Sequence, residues 1–189
     1  MTPRSGETMK ELSLHILDLA ENGITAGACL VRIHVDERPR DNVIAIDIED
    51  NGRGIPPDML EKITDPFVTT RTTRRVGMGL SLFKAAAERC GGRFEIRSEP
   101  GKGTLTRGEF QYDHIDRAPL GDMPSTLVSL IAGYPEIDID YTHLYDGRNF
   151  SFDTREIRDE LEGVPLNEPA VLQHLKKAIQ QELEGIKRS

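Results

Sequence analysis

Several features that would classify a chain at once are missing here. Its 189 residues include only two cysteines, Cys29 and Cys90. They stand in no C-x-x-C or other metal-like spacing, so reduced, mostly buried thiols in a reducing compartment are expected. No apolar run approaches the roughly 20 residues needed to span a bilayer. Residues 1 to 10 are polar and lack the apolar core of a signal peptide, which points to the cytoplasm and away from a membrane. Positive charge is outnumbered, with 24 Lys and Arg against 32 Asp and Glu, a net charge of -8. A nucleic-acid partner needs a basic face and is set aside, whereas one small phosphorylated ligand needs only a few local cations. Neither G-x-x-x-x-G-K-[ST] nor G-x-G-x-x-G occurs, because Gly101-Lys102 runs into Gly103. There are no internal repeats and no low-complexity tract.

What is present is a globular composition, 37% hydrophobic and 30% charged, long enough for one domain with an appendage or two small ones. Residues 9 to 26 read as a helix with two apolar stripes, Leu12, Ile16, Leu19, Ala20 and Leu14, Leu17, Ile24. Between them runs a polar stripe of His15, Asp18, Asn22 and Thr25. A helix apolar on two flanks is expected to be largely buried, so its polar stripe must face a partner or a ligand. Residues 29 to 36 and 42 to 48 alternate like the strands of a hairpin. A short helix opening at Pro56-Pro57, a loop over 65 to 79 and a helix over 80 to 90 follow, then strands over 93 to 97 and 105 to 111. Beyond residue 112 the pattern predicts a helix over 124 to 132 and a hairpin over 136 to 144 and 149 to 152, turning at Asp146-Gly147. An Asp153-x-x-Glu156 capping box and a last amphipathic helix from Asn167 complete the chain.

Four short segments carry the chemistry. Asp18 and Asn22 are four apart on one helix face, where a carboxamide oxygen beside a carboxylate can hold Mg²⁺ and orient a water or hydroxyl toward a phosphate. On its own the pair reads more simply as surface or capping residues. Asp50 closes a strongly apolar strand and is followed by Gly52 and Gly54. Such a carboxylate can accept a hydrogen bond from an exocyclic amine while the glycines let the backbone approach a flat ring; an ordinary Asp-Asn-Gly turn is the plainer reading. Gly77 and Gly79 precede the Leu80 helix, a setting that offers free amides and a positive dipole end to phosphate oxygens. Thr104 follows Gly101 and Gly103 and could place a hydroxyl near the base, or serve only as a β-branched strand residue. Residues 69 to 75, with Arg71 among three cations and four hydroxyls, suit either a lid over a triphosphate or a solvated loop. His15 reads as a hydrogen-bonded helix histidine, with phosphoacceptor or proton shuttle as the alternative.

In this order the segments resemble the boxes of the GHKL ATPases, the superfamily of gyrase, the heat-shock chaperone, histidine kinases and MutL. Asp18-Leu-Ala-Glu-Asn22-Gly-Ile-Thr-Ala-Gly-Ala is similar to the N box, Asp50-Asn-Gly-Arg-Gly54 to the G1 box and Asp65-Pro-Phe67-Val-Thr-Thr-Arg71 to the F box of histidine kinases. Gly77-Met-Gly79-Leu80 is similar to the G2 box and Pro100-Gly-Lys-Gly-Thr104 to the final glycine box. The resemblance covers about residues 9 to 111. It implies an α/β fold of the α+β two-layer kind, the Bergerat mixed sheet with helices on one face, with an ATP-binding domain over 1–111 and a small C-terminal extension over 112–189. It implies Asn22 on Mg²⁺ and phosphates, Asp50 on the adenine amine, and Asp18 where hydrolysing members carry a glutamate base. Gly52, Gly54, Ile55, Phe67, Arg71, Gly77, Gly79, Leu80 and Thr104 would complete the ATP site.

The reading that follows is an Mg-ATP-binding, kinase-like regulator that phosphorylates or switches a protein partner in signal transduction. Only a short segment precedes the N box, so the phosphoacceptor helix pair of ordinary histidine kinases is not expected. A slow ATPase working by lid closure or dimerisation and a non-catalytic, nucleotide-gated interaction module are the alternatives. The partner protein is not named by the sequence, and monomer and homodimer both stay open.

Overall fold

The computed structural model of the protein describes residues 11–64 and 78–188. Its strands are β1 (Leu30–Arg38), β2 (Val43–Asp50), β3 (Arg93–Glu99), β4 (Gly103–Gln111), β5 (Asp138–Tyr145) and β6 (Arg148–Asp153). Its helices are α1 (Leu12–Thr25), α2 (Pro57–Thr64), α3 (Met78–Arg89), α4 (Met123–Gly133), α5 (Thr154–Glu160) and α6 (Pro169–Arg188). The strands form one mixed sheet in the order β3-β4-β2-β1-β5-β6, in which only β1 and β5 pair in parallel.

Alternation decides which sheet face is covered. Val31, Ile33 and Val35 of β1, Ile44, Ile46 and Ile48 of β2, and Ile139 and Tyr141 of β5 are buried, and period-2 geometry puts each set on one side. Against them pack Leu12, Ile16, Leu19 and Ala20 of α1, Leu80, Phe83 and Ala87 of α3, and Leu127, Leu130 and Ile131 of α4. Leu175, Ile179 and Leu183 of α6 extend the same core. Phe83 fills the space above Gly108, where an added Cβ would come within 2.6 Å of its ring, and stacks edge-on against Phe110 at 5.5 Å. The opposite face is polar and laced with ion pairs, among them Arg32 with Glu49 and Asp140, and Arg107 with Asp47 and Glu109. The two-layer arrangement with helices on one face is therefore as expected.

The C-terminal segment is built into this sheet. Its hairpin adds β5 and β6 beside β1, turning at Asp146-Gly147 with φ of 46° and 84°, the left-handed pair a two-residue turn requires. The segment before α4 also closes the start of α1. Leu12 N and Ser13 N donate to the carbonyls of Pro119 (2.9 Å) and Leu120 (2.8 Å), satisfying amides a helix start leaves open.

Three local expectations change. α3 begins at Met78, so Gly79 lies inside the first helical turn instead of before it. The carboxylate of Asp153 accepts from Arg155 N at 2.8 Å, one residue short of the capping-box pattern, and the Arg155 guanidinium closes on the same carboxylate. Cys90 is buried but Cys29 is exposed, because β1 begins only at Leu30.

Candidate functional site

One end of the sheet gathers the chemically distinctive residues. β2 ends at Asp50, aligned with Val31 of β1 and Thr104 of β4. α1 crosses above this end so closely that a Cβ on Gly23 would fall 2.7 Å from Cβ of Asp50 and 3.1 Å from its Oδ2. The Asp50 side chain thus lies against bare helix backbone. Gly52 N donates to Asp50 Oδ1 at 2.8 Å. Burial pushes the Asp50 carboxyl above its ordinary range, and the Gly52 and Thr104 amides oppose the rise in part.

Asn51 fastens the turn from behind. Its Oδ1 accepts from Cys29 N (2.9 Å) and Leu30 N (3.0 Å), and its Nδ2 donates to Cys29 Sγ (3.1 Å). Gly54 has φ of +70°, and a side chain there would run into the Glu99 carbonyl and come within 3.2 Å of Gly103 O. Only glycine fits both constraints. Ile55 follows, held by a bond from its amide to Ser98 Oγ at 2.8 Å.

The helix side supplies the second half of the site. Where α3 starts, Gly79 packs directly on the Asp18 carboxylate, and a Cβ there would also approach Asn22 Nδ2 to 3.2 Å. The absence of a side chain is what lets α3 seat its first turn on the polar stripe of α1. Asn22 Nδ2 is buried and has no hydrogen-bond partner among the described residues. Burial pushes the Asp18 carboxyl up, while the adjacent Asn22 amide, short of a formed bond, offsets part of that. A helix start beside a carboxamide is suited to phosphate oxygens. His15, one turn earlier, is 4% exposed; its ring packs on Phe83 at 5.8 Å and its Nδ1 has no partner among the described residues. Burial lowers its pKa to about 4, so it sits in the protein as a neutral ring.

A cleft between the two halves is lined by Asn22, Gly23, Asp50, Gly54, Ile55, Leu80 and Thr104. Gly52 is buried behind it, near Ala26 O. Nine of the twelve candidate residues, Asp18, Asn22, Asp50, Gly52, Gly54, Ile55, Gly79, Leu80 and Thr104, are thereby brought to one end of the sheet. Phe67, Arg71 and Gly77, with the loop over 69 to 75, lie outside the described residues. Leu19, Ala26 and Thr106 also line the cleft, and Ser98 and Asn51 brace it; sequence reasoning gave none of these a place in the site. Gly23 carried a usable signal, since a glycine inside a good helix costs stability unless something approaches its backbone.

A larger cavity, about 270 Å³, lies between residues 120–124 and α6. Its charged groups are already joined to one another or to neighbouring side chains, Lys187 to Glu37, Glu184 to Arg188 and Asp122 to Ser125. The smaller cleft holds the Asn22 side chain, whose Nδ2 has no partner among the described residues, and the Asp50 carboxylate, which is joined to no cation there. Among the described residues no group of three or more His, Cys, Asp or Glu could hold a metal, and no helix is long and apolar enough to cross a membrane.

Comparison with known proteins follows the same outline. The model of the family described as histidine kinase-, DNA gyrase B- and HSP90-like ATPase matches residues 7–114. The sensor kinase CckA of Brucella abortus is 39% identical over 74 residues, 39% of this chain and 8% of that protein. The alginate biosynthesis sensor protein KinB of Pseudomonas aeruginosa is 37% identical over 87 residues, 46% of this chain and 15% of that protein. The chain thus spans less than a fifth of the length of these relatives. The ATPase domain of Aquifex aeolicus MutL, solved with ADP, shares the fold with a TM-score of 0.50 at 14% identity, covering 82% of this chain and 68% of that one.

Proposed function

The chain belongs to the histidine kinase-, DNA gyrase B- and HSP90-like ATPase family through an ATP-binding domain of the histidine-kinase type, and from that membership we propose that it is an Mg-ATP-dependent, kinase-like regulator of a protein partner. The observation that carries this reading is the convergence of Asp50, Asn22 and the first turn of α3 on one cleft. Asp50 accepts the exocyclic amine of adenine, and the Gly54-Ile55 backbone flanks the ring. The α3 start and the Asn22 side chain receive the phosphates. One or two side-chain donors, rather than a cage, suit magnesium, which takes most of its oxygens from phosphate and water. The carboxamide oxygen of Asn22 would supply such a ligand, and the ion would neutralise phosphate charge. The γ-phosphoryl group then passes to a partner, or the bound nucleotide alters what the C-terminal segment presents to it.

A second reading is a slow ATPase. Asp18 favours it, because burial makes this carboxyl a stronger base than an exposed aspartate. Following γ-labelled ATP in the presence of candidate partners separates the readings. Label on a partner supports the kinase, free phosphate with no partner present supports the ATPase, and label retained on ATP leaves the nucleotide-gated module. Absence of any transfer to protein overturns the kinase reading.

A further inference from the structure

The hydrogen bonds around Ser98 fix the polarity of the cleft. Ser98 lies on β3 opposite Thr104 of β4, and Thr104 in turn lies opposite Asp50 of β2. The three form a row across the sheet end, in which Asp50 and Thr104 line the cleft and Ser98 stands behind Thr104. Ser98 Oγ has three neighbours at bonding distance. Ile55 N donates to it at 2.8 Å, Gly103 O lies at 2.9 Å and Thr104 Oγ1 lies at 2.9 Å.

A serine hydroxyl has one proton and two lone pairs. The Ile55 amide uses one lone pair. Gly103 O is a carbonyl and can only accept, so the Ser98 proton goes to it. What remains for Thr104 is the second lone pair, so the Thr104 hydroxyl must donate to Ser98. The opposite assignment would leave a Ser98 lone pair facing the Gly103 carbonyl oxygen and one contact unmade. With its proton committed, Thr104 offers only lone pairs to the cleft. Asp50, which takes the Gly52 amide on Oδ1, offers acceptors too when ionised. Both polar groups on the base side therefore ask for donors.

We infer that Ser98 is a positioning residue for base selection: by taking the Thr104 proton it turns the Thr104 hydroxyl into an acceptor beside Asp50, so that the cleft admits a 6-amino purine and rejects a 6-oxo purine. This rests on the nucleotide reading above. Adenine brings an amine with two protons to this edge. Hypoxanthine brings a carbonyl oxygen to the same place, where it meets acceptors, and keeps a single donor at this edge, N1–H, against the two protons of the adenine amine. In Ser98→Ala the Thr104 hydroxyl loses its acceptor, rotates freely and can donate to that oxygen.

The test is a calorimetric comparison of ATP and inosine triphosphate, each with magnesium, on the wild-type chain, Ser98→Ala, Ser98→Thr and Thr104→Val. The readout is the ratio of the two dissociation constants, which a general loosening of the site would leave alone. The wild type is expected to favour ATP. Ser98→Ala and Thr104→Val are expected to shrink that preference by roughly fivefold, the worth of about one hydrogen bond, and Ser98→Thr to restore it. A wild-type ratio in Ser98→Ala overturns the inference while leaving nucleotide binding intact. If Ser98→Ala does not fold, Thr104→Val decides alone, and an unchanged ratio there overturns the inference equally. Wild-type protein that binds neither nucleotide overturns the site reading and this inference with it.

Discussion

The side chain of Asp50 rests on Gly23. A methyl group at position 23 would fall 2.7 Å from Cβ of Asp50, close to its backbone and with no flexible chain to swing away. Gly23→Ala is therefore expected to displace Asp50 and weaken ATP binding about tenfold, the scale of an overpacked contact. Gly185 of α6 is the control, because among the described residues nothing beyond its own stretch of helix lies within 4 Å of a Cβ built there. Gly185→Ala is expected to leave binding unchanged and to raise stability by about 0.5–1 kcal/mol through helix propensity. Titration calorimetry and thermal melts of both variants check the pair.

Asp18 sets a different expectation. Its carboxyl is raised above the ordinary aspartate value of 3.8 by burial. A general base works only when ionised, so any ATP turnover it supports falls as pH drops through this raised value, at a higher pH than an exposed aspartate would give. Asp18→Asn removes the base but keeps the shape. Phosphate release is expected to fall by about a hundredfold, with ATP affinity held within roughly a factor of three. Turnover equal to wild type in this variant contradicts a role for Asp18 in hydrolysis.

Acid stability is governed at the far end of β1. Glu37 is 3% exposed and meets His143 Nε2 at 2.8 Å, Lys187 Nζ at 2.6 Å and Tyr112 Oη at 3.2 Å; His143 in turn meets Tyr141 Oη at 2.6 Å. Burial pushes the Glu37 carboxyl up, but its bonds to His143 and Lys187 outweigh burial and hold it at about 2, against 4.5 ordinarily. A carboxyl with a depressed folded-state pKa stabilises the fold while ionised. Its contribution is complete above about 4.5 and is lost as pH falls through about 2. Denaturant midpoints measured across this window are expected to fall for the wild type and to change less for Glu37→Gln, which is less stable at neutral pH. Parallel pH profiles for the two proteins contradict the assignment.

Much of this was legible in the chain. The alternation of β1 and β2, the amphipathic stripes of α1 and the order of the glycine segments all depend on neighbours within a few residues, whereas the mixed sheet with one covered face was expected only from the family resemblance those segments carry. Residues far apart in sequence were not legible. The parallel pairing of β5 with β1 and the meeting of Glu37 with His143, 106 positions away, have no local signature. Gly79 was read as part of a turn because glycine disfavours helices; it lies within α3 because only a residue without a side chain can sit on Asp18. Ser98 went unnoticed because a serine in a polar strand carries no signal until its three partners are known.

The assignment of the cleft is tested most directly by titrating magnesium-loaded ATP into the wild-type chain and into Asp50→Asn in one calorimeter. Saturable binding at one site in the wild type, weakened by at least about tenfold when the Asp50 acceptor becomes an amide, is the predicted result. No heat of binding in the wild type, or equal affinity in the two proteins, would contradict it.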